Sequence, residues 1–365
     1  MKKWLSLLLC VVVMMGVSGC RTESVDEDGA LNVITGKLSD YIVMKENTAY
    51  VYRGDTDSIA DYVYYVEHTG EGMLQRRVSA TNESFAEVYR FNDEALELVY
   101  TEGKYYRHEN LLDMEDNAYV QWIGKPLKSG AKWTYTAQPS GAEVTIAVTA
   151  TNVDVTVPYG TFKAIELTKT YSDSPDYCAK EYYAKGVGLI KQTSISTDFE
   201  VSSELCEVHE NVAMNTSVPL FSMENGERVH EFVDISYSTN TDIMELYNSI
   251  FPQFFAEKFG MDEAALHLTK AVVDYAWASN PVLTLTFVDA FSLVIPPENA
   301  VQCMVDTFAY LYGIAEVRLS TADFILLFND IEQDEEGIMM YIPLEDLEVG
   351  ASDTDFEDMP ESVEE

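Results

Sequence analysis

The residues that could do chemistry are scattered along the chain. None of the five histidines has a partner at the spacing that zinc ligands require, namely His68, His108, His209, His230 and His267. The chain has no Gly-x-Ser-x-Gly turn for a hydrolase nucleophile, no phosphate-binding loop and no Gly-x-Gly-x-x-Gly sequence. The sequence therefore predicts no catalytic residues, no metal site and no cofactor.

The acidic residues do not form a calcium loop. Asp26 and Asp28 precede Gly29 without the later ligands, and Glu335 stands where a loop over residues 330–336 would need glycine. A carboxylate pair for glycan hydrolysis needs a fixed separation, and no pair can be chosen by spacing among 62 acidic residues. We interpret these acids as a solvated surface.

Three of the five cysteines remain for the folded protein once Cys10 and Cys20 are assigned to the N-terminal segment. Cys178 and Cys206 flank strand-like segments and form a candidate disulfide in an oxidising compartment, with reduced thiols as the alternative. Cys303 falls at a buried helix position, where a small apolar role is expected.

The N-terminus is typical of an export signal. A basic start precedes the apolar run Trp4–Val17, which is too short to span a membrane. The end of this run, Val17-Ser18-Gly19-Cys20, resembles the lipobox of bacterial lipoproteins. The resemblance implies that residues 1–19 are a signal peptide and that Cys20 is acylated, which anchors the chain on the extracytoplasmic face of the cell membrane. An ordinary secreted protein with a free Cys20 is the alternative. Residues 20–37 are polar and predict a flexible tether.

The charge is strongly negative and unevenly distributed. The 365 residues include 62 acidic and 23 basic ones, for a formal net charge of -39. Such a chain repels phosphate, so a nucleic-acid partner is excluded. After Arg318 there are 16 acidic residues and no basic one. This stretch is expected to be solvated, with residues 350–365 forming a disordered tail.

Residues 38–212 have the pattern of β-strands. Polar residues alternate with β-branched or aromatic ones between glycine-containing turns. Of the 23 tyrosines, 17 lie between positions 41 and 183, as expected for sheets with one wet face. This part of the chain predicts an antiparallel all-β domain, either a sandwich or barrel-like.

Three motifs in this region resemble a β-rich domain of lipoproteins from clostridia and their relatives. They are a Pro-Leu-x-x-Gly-x-x-Trp turn at 126–133, a Val-Pro-x-Gly-Thr-Phe turn at 157–162 and a Tyr-Tyr-Ala-x-Gly-Val-Gly strand end at 182–188. The resemblance covers roughly residues 40–192. It implies a fold and an extracytoplasmic location, and no general enzymatic activity.

Residues 215–349 mix helical and strand patterns, which predicts a smaller α/β sandwich and an α+β chain overall. The expected helices are Asp242–Phe259 with an interruption at Pro252, Met261–Ser279, and Glu298–Tyr312. The expected strands are Glu227–Tyr237, Val282–Val288, Val317–Leu319 and Ile338–Leu344.

Part of this second region is similar to the GerM domain of sporulation and spore-germination proteins. The segments that carry the similarity are Leu283–Phe287, Ala300–Tyr310 and Gly313–Leu319, in the order strand, helix, strand. The resemblance implies an extracytoplasmic interaction module and not an enzyme.

Taken together, these features predict a membrane-anchored lipoprotein that binds a protein or a cell-envelope polymer without catalysis. Two other functions stay open. The aromatic-rich sheet could enclose a small apolar ligand, or the protein could hydrolyse cell-wall glycan.

Overall fold

A computed structural model describes residues 37–343, apart from 43–44, 55–59, 81–82, 119, 138–139, 275–280 and 329–330. The described residues divide into two compact units. The first contains residues up to 103 and 110–212, and the second contains 104–109 and the residues from 213 onward. The first unit is antiparallel β-structure and the second is a mixed sheet with helices, so the predicted α+β class is confirmed.

The first unit is one twelve-stranded sheet that is nearly closed. Its strands are β1 (Thr48–Gly54), β2 (Tyr62–Gly70), β3 (Met73–Ala80), β4 (Glu83–Phe91), β5 (Ala95–Gly103), β6 (Val120–Gly124), β7 (Lys132–Thr136), β8 (Glu143–Val157), β9 (Gly160–Tyr171), β10 (Ser174–Ala184), β11 (Gly188–Ile195) and β12 (Glu200–Glu210). They are ordered β6-β5-β4-β3-β2-β1-β12-β11-β10-β9-β8-β7. The edge strands β6 and β7 approach each other where Trp133 Nε1 donates to the Gln121 carbonyl.

Alternation along each strand places one set of side chains inside the sheet. On β8, Val144, Ile146 and Val148 are fully buried, whereas Thr145 and Ala147 between them are half-buried and Glu143 and Thr149 at the two ends are exposed. The interior is rich in tyrosine, and Tyr52 donates from its hydroxyl to the Leu189 carbonyl at 2.6 Å. The aromatic residues that the sequence concentrates here therefore fill the inside of a barrel-like sheet.

The second unit combines a two-stranded ribbon with a four-stranded mixed sheet. The ribbon is β13 (Met214–Glu224) and β14 (Glu227–Tyr237), and the sheet is ordered β15 (Leu268–Asp274), β16 (Val282–Phe287), β17 (Glu316–Ser320) and β18 (Ile338–Met340). The described residues of this unit also form three α-helices: α1 (Ile243–Asn248), α2 (Phe251–Phe259) and α3 (Ala300–Tyr312). Within the described residues, no helix is both long enough and apolar enough to cross a membrane.

Local chemistry explains several of these elements. Asn225 and Gly226 both have positive φ, which is the geometry that a two-residue β13–β14 turn needs. Asp242 caps α1 by accepting from the amides of Met244 and Glu245. Pro252 lies in the first turn of α2, so the predicted interruption becomes a break between two helices.

The helix predicted over Met261–Ser279 is wrong. Residues Glu263–Leu266 form a single 3₁₀ turn, and the chain continues as strand β15, while 275–279 lie outside the described residues. Strand β15 pairs antiparallel with β16 from Leu268 opposite Phe287 to Asp274 opposite Val282. The spacing of the apolar residues is compatible with a helix. The β-branched residues of this stretch and the available edge of β16 favour β-structure instead.

Candidate binding site inside the barrel-like sheet

A cavity of about 120 Å³ lies inside the first unit. Its wall includes four charged side chains, which we call the interior charge cluster: Arg76 on β3, Glu87 on β4, Lys169 on β9 and Glu181 on β10. Aromatic residues complete much of the wall, namely Tyr62, Trp122, Tyr171, Tyr177 and Tyr183. The mostly apolar and aromatic interior of the sheet therefore contains a polar site.

The first half of the cluster is the pair Arg76 and Glu87. These residues are directly opposite in the β3–β4 register, and Arg76 Nε donates to Glu87 Oε2 at 2.6 Å. A second guanidinium nitrogen donates to the Tyr89 hydroxyl at 2.7 Å, and that hydroxyl donates to Glu87 at 3.0 Å. The guanidinium also lies over the Tyr64 ring, 5.0 Å from its centroid. Contacts from the two adjacent strands, β2 and β4, therefore fix the orientation of Arg76.

The second half is the pair Lys169 and Glu181, which is more deeply buried. The two side chains are 5% and 2% exposed, and Lys169 Nζ lies 2.5 Å from Glu181 Oε1. The other carboxylate oxygen accepts from Trp122 Nε1 at 3.1 Å and from the Tyr183 hydroxyl at 3.0 Å. The ammonium also lies 3.3 Å from the centroid of the Trp122 ring. Every charge of this pair is compensated within the site.

The two pairs come from opposite parts of the sheet. Strands β3 and β4 are separated from β9 and β10 by β2, β1, β12 and β11 on one side, and by β5, β6, β7 and β8 on the other. Both pairs nevertheless line the same cavity. Only a sheet that curves back on itself can bring them together, so near closure creates this site.

Burial sets the protonation behaviour of the site. It lowers the pKa of Lys169, while the Glu181 and Glu87 carboxylates counteract that effect. Burial also raises the pKa of the Tyr89 and Tyr183 hydroxyls well above the usual value, so both stay protonated hydrogen-bond donors near neutral pH. The site offers fixed donors and acceptors, and the Lys169 amine is held by a carboxylate and a ring face.

The sequence carries a signal for this site that differs from the motifs of known enzymes and metal sites. In the sequence, each charged residue of the cluster has an apolar or aromatic residue two positions before it and another two positions after it, on the same face of its strand. These pairs are Leu74 and Val78 around Arg76, Phe85 and Tyr89 around Glu87, Leu167 and Tyr171 around Lys169, and Ala179 and Tyr183 around Glu181. A charge in the middle of an apolar strand face is a buried charge, and a buried charge needs a partner.

The residues that the sequence singled out lie elsewhere. Cys20 is outside the described residues, so its acylation stays a prediction. The disulfide between Cys178 and Cys206 does not form, because Cys206 is a free thiol. Cys178 is on β10 and Cys206 is on β12, with β11 between them. Two strand spacings are roughly 9.6 Å, beyond the Cα separation of about 7 Å that a disulfide tolerates. Cys303 is a buried free thiol on α3.

No protein-family model and no curated protein matches this chain. Among solved structures, it is similar to a protein from Bacteroides fragilis described as exported and as having a YmcC-like fold, at 12% identity over 46% of this chain and 97% of that chain, with a TM-score of 0.28. A protein from Parabacteroides distasonis described as a lipoprotein matches at 14% identity over 46% of this chain and 98% of that chain, with a TM-score of 0.29.

A third similar structure is a β-barrel-like protein of a domain of unknown function from Brucella abortus, at 10% identity over 44% of this chain and 95% of that chain, with a TM-score of 0.26. Likenesses this weak say nothing about what this chain binds. The resemblances to the clostridial β-rich domain and to GerM stay predictions.

Proposed function

We propose that this protein is a lipid-anchored, extracytoplasmic binding protein that acts without catalysis, and that its barrel-like sheet holds one small polar molecule without net charge. The observation that carries the proposal is the cavity of about 120 Å³ with an ion pair on each of two opposite walls. The anchor rests on the lipobox-like Cys20 and the export signal before it.

The charge balance of the cavity favours a neutral ligand. Among the described residues of the wall, two cations and two anions form the interior charge cluster, and the remaining carboxylate, Asp61, is paired with Arg53. A ligand with net charge would add an uncompensated ion to a poorly solvated site, at a cost of several kcal/mol. A neutral molecule with hydroxyl or amide groups meets donors and acceptors without that cost.

The size and the aromatic wall favour a ring-shaped molecule. An engineered cavity of about 150 Å³ holds benzene, so this cavity of about 120 Å³ takes in one unsubstituted ring at most. Because the cavity is partly open, the substituents of a larger ring would extend out of it. The wall combines aromatic faces, which pack on C–H groups, with charged hydrogen-bonding groups. A monosaccharide has this combination, and sugars are components of the cell envelope to which the predicted anchor directs the chain.

The two other functions fit the site less well. A purely apolar ligand would leave Arg76 and Glu87 facing hydrocarbon, which buried polar groups avoid. A glycan hydrolase needs one protonated carboxyl as its acid. Both carboxylates of the cluster are engaged in ion pairs, Glu87 with Arg76 and Glu181 with Lys169, so each is already committed to a cation and not to a substrate oxygen. We therefore propose binding and not hydrolysis.

A thermal-shift titration tests the proposal with four sugars that differ in charge: glucose, N-acetylglucosamine, cationic glucosamine and anionic glucuronate. We expect the soluble chain from residue 21 to gain stability from a neutral sugar, by about 2.7 kcal/mol when the sugar reaches 100 times its Kd. The variant Ala179→Leu fills the cavity from β10 and should lose this gain.

The matched control is Ala147→Leu, which makes the same change on the outward face of β8. It should keep the response of the unmodified chain. Equal shifts from the charged and the neutral sugars would contradict the charge argument. If none of the four sugars binds at millimolar concentration, the proposed ligand class is wrong.

A further inference from the structure

A groove of about 420 Å³ lies in the second unit, independent of the cavity in the first. We call it the apolar groove, and its apolar lining includes Val294, Ile295, Leu326, Leu327, Phe328 and Ile342. Three of these side chains are unusually open for aliphatic residues: Ile295 is 93% exposed, Leu327 64% and Ile342 50%. An apolar surface of this kind marks an interaction site.

The degree of exposure favours a chain segment over a small molecule as the occupant. A small ligand sits inside its pocket and is itself mostly buried by it. Such a ligand would leave the outer parts of Ile295 and Leu327 in water. A segment of polypeptide that lies along the groove would cover these rims as well as the floor.

Charge decides which segment can lie there. Of the described residues that line the groove, Glu298 and Glu332 are acidic and none is Lys, Arg or His. Residues 213–343 contain 20 acidic and 4 basic residues, and the basic ones are Arg228, Lys258, Lys270 and Arg318. Arg228 and Lys258 are already paired, with Asp306 and Glu231 respectively. The groove therefore lies in a strongly negative field, which attracts cationic partners.

Three other occupants are disfavoured by the same field. The 22 residues after Pro343 include 10 acidic and no basic residues, so this chain's own tail is repelled. A second copy of the chain carries the same net charge of -39. A bacterial membrane surface with anionic lipids is also negative.

We propose that the apolar groove binds a segment of another protein in which apolar side chains alternate with Lys or Arg. The apolar side chains of that segment occupy the groove between Ile295 and Leu327. Its basic side chains lie near Glu298 and Glu332 at the rim. Because these carboxylates are exposed, they contribute mainly to the rate of association and to selectivity.

The test measures fluorescence anisotropy of a labelled synthetic peptide of alternating leucine and lysine with the soluble chain from residue 21. We expect the double variant Ile295→Ser/Leu327→Ser to weaken binding by about 10-fold or more, since two contacts of this type are removed. Phe232→Ser is the matched control, because Phe232 is 57% exposed on β14 and does not line the groove. It should change binding by less than about twofold.

Charge is tested with a second peptide and a second variant. A peptide with glutamate in place of every lysine should not bind. Glu298→Gln/Glu332→Gln should weaken binding of the lysine peptide at low salt and have little effect at about 0.15 M salt. Equal binding of the two peptides would overturn the proposal.

The other occupants appear as distinct outcomes. If deletion of residues 344–365 strengthens binding of the lysine peptide by about 10-fold or more, the tail covers the groove and the proposal is wrong. If the chain dimerises in sedimentation and Ile295→Ser/Leu327→Ser makes it monomeric, the occupant is a second copy. Neither result affects the ligand proposed for the barrel-like sheet.

Discussion

Lys169 is a residue whose burial is costly and therefore needs compensation. Its side chain is 5% exposed, and burial alone lowers the pKa of its ammonium. Glu181 and the Trp122 ring supply the interactions that hold the charge in place. Removing one member of such a pair leaves the other as a buried ion with no counter-charge.

We expect Lys169→Met to lower the free energy of unfolding by about 3–5 kcal/mol, because Glu181 loses its counter-ion. Adding Glu181→Gln should recover part of that loss, which a double-mutant cycle in urea at neutral pH measures. Lys163→Met is the matched control on the same strand. Its ion pair with Asp154 is exposed, 57% and 67% for the two side chains, so this change should barely move the urea midpoint. Additive effects of the two cluster substitutions would mean that the pair is not coupled.

At the scale of elements, a helix or strand could be predicted from the sequence wherever a short local pattern determines its secondary structure. The helical pattern that starts at Asp242 and its interruption at Pro252 indicated both helices and the break between them. The alternating residues of Glu227–Tyr237 became strand β14 over the same range. In these cases the backbone preference and the tertiary contacts agree, so the sequence pattern predicts the element.

The failures concern features that depend on a distant partner. Strand β15 is determined by the free edge of β16, which the apolar spacing around Leu268 does not reveal. The Cys178–Cys206 pairing failed because the sheet order inserts β11 between the two strands. The interior charge cluster needs both the β3–β4 register and near closure of the sheet, and neither can be read from one strand alone.

Helix α3 also carries a buried acidic residue, Asp306. The protonation of its carboxyl should make the stability of the fold depend on pH. The side chain is fully buried, and its oxygens accept from Arg228 at 2.6 Å, Gln302 at 2.8 Å and the Ile342 amide at 3.0 Å. Burial raises the pKa of this carboxyl, and these hydrogen bonds only partly offset the effect. The folded state therefore binds this proton more tightly than the unfolded state does.

A raised carboxyl pKa stabilises the fold at low pH. The contribution is fully present below the unfolded value of 3.8 and is lost as the pH rises through the folded pKa. The variant Asp306→Asn cannot titrate. We therefore expect the unfolding free energy of the unmodified chain, minus that of the variant, to grow as the pH falls from about 7 to about 4. Urea denaturation at a series of pH values measures this difference. A constant difference, or one that shrinks on acidification, would show that Asp306 is ionised without cost.

The net charge of -39 affects the stability of the whole molecule, because no single contact can offset it. Like charges repel in the compact state, and this repulsion weakens when salt shortens the Debye length from about 30 Å at 0.01 M to about 8 Å at 0.15 M. Most of the imbalance lies in residues 213–365, with 30 acidic against 4 basic residues. The predicted lipid anchor lies at the other end of the chain, so the most acidic part is the part farthest along the sequence from an anionic membrane.

We expect the Tm of the soluble chain to rise with NaCl and to level off above roughly 0.15 M, where screening is nearly complete. Scanning calorimetry at several salt concentrations measures this directly. Neutralising two exposed acids of the second unit, in Glu335→Gln/Glu336→Gln, should raise the Tm at low salt and reduce its salt dependence, because both residues add to the repulsion. Asp154→Asn is the opposite control, since it removes an acid whose nearest charge is the attractive Lys163, and should not raise the low-salt Tm. A Tm that falls as salt is added would mean that surface ion pairs outweigh the repulsion, and that the acidic excess does not limit the stability of this fold.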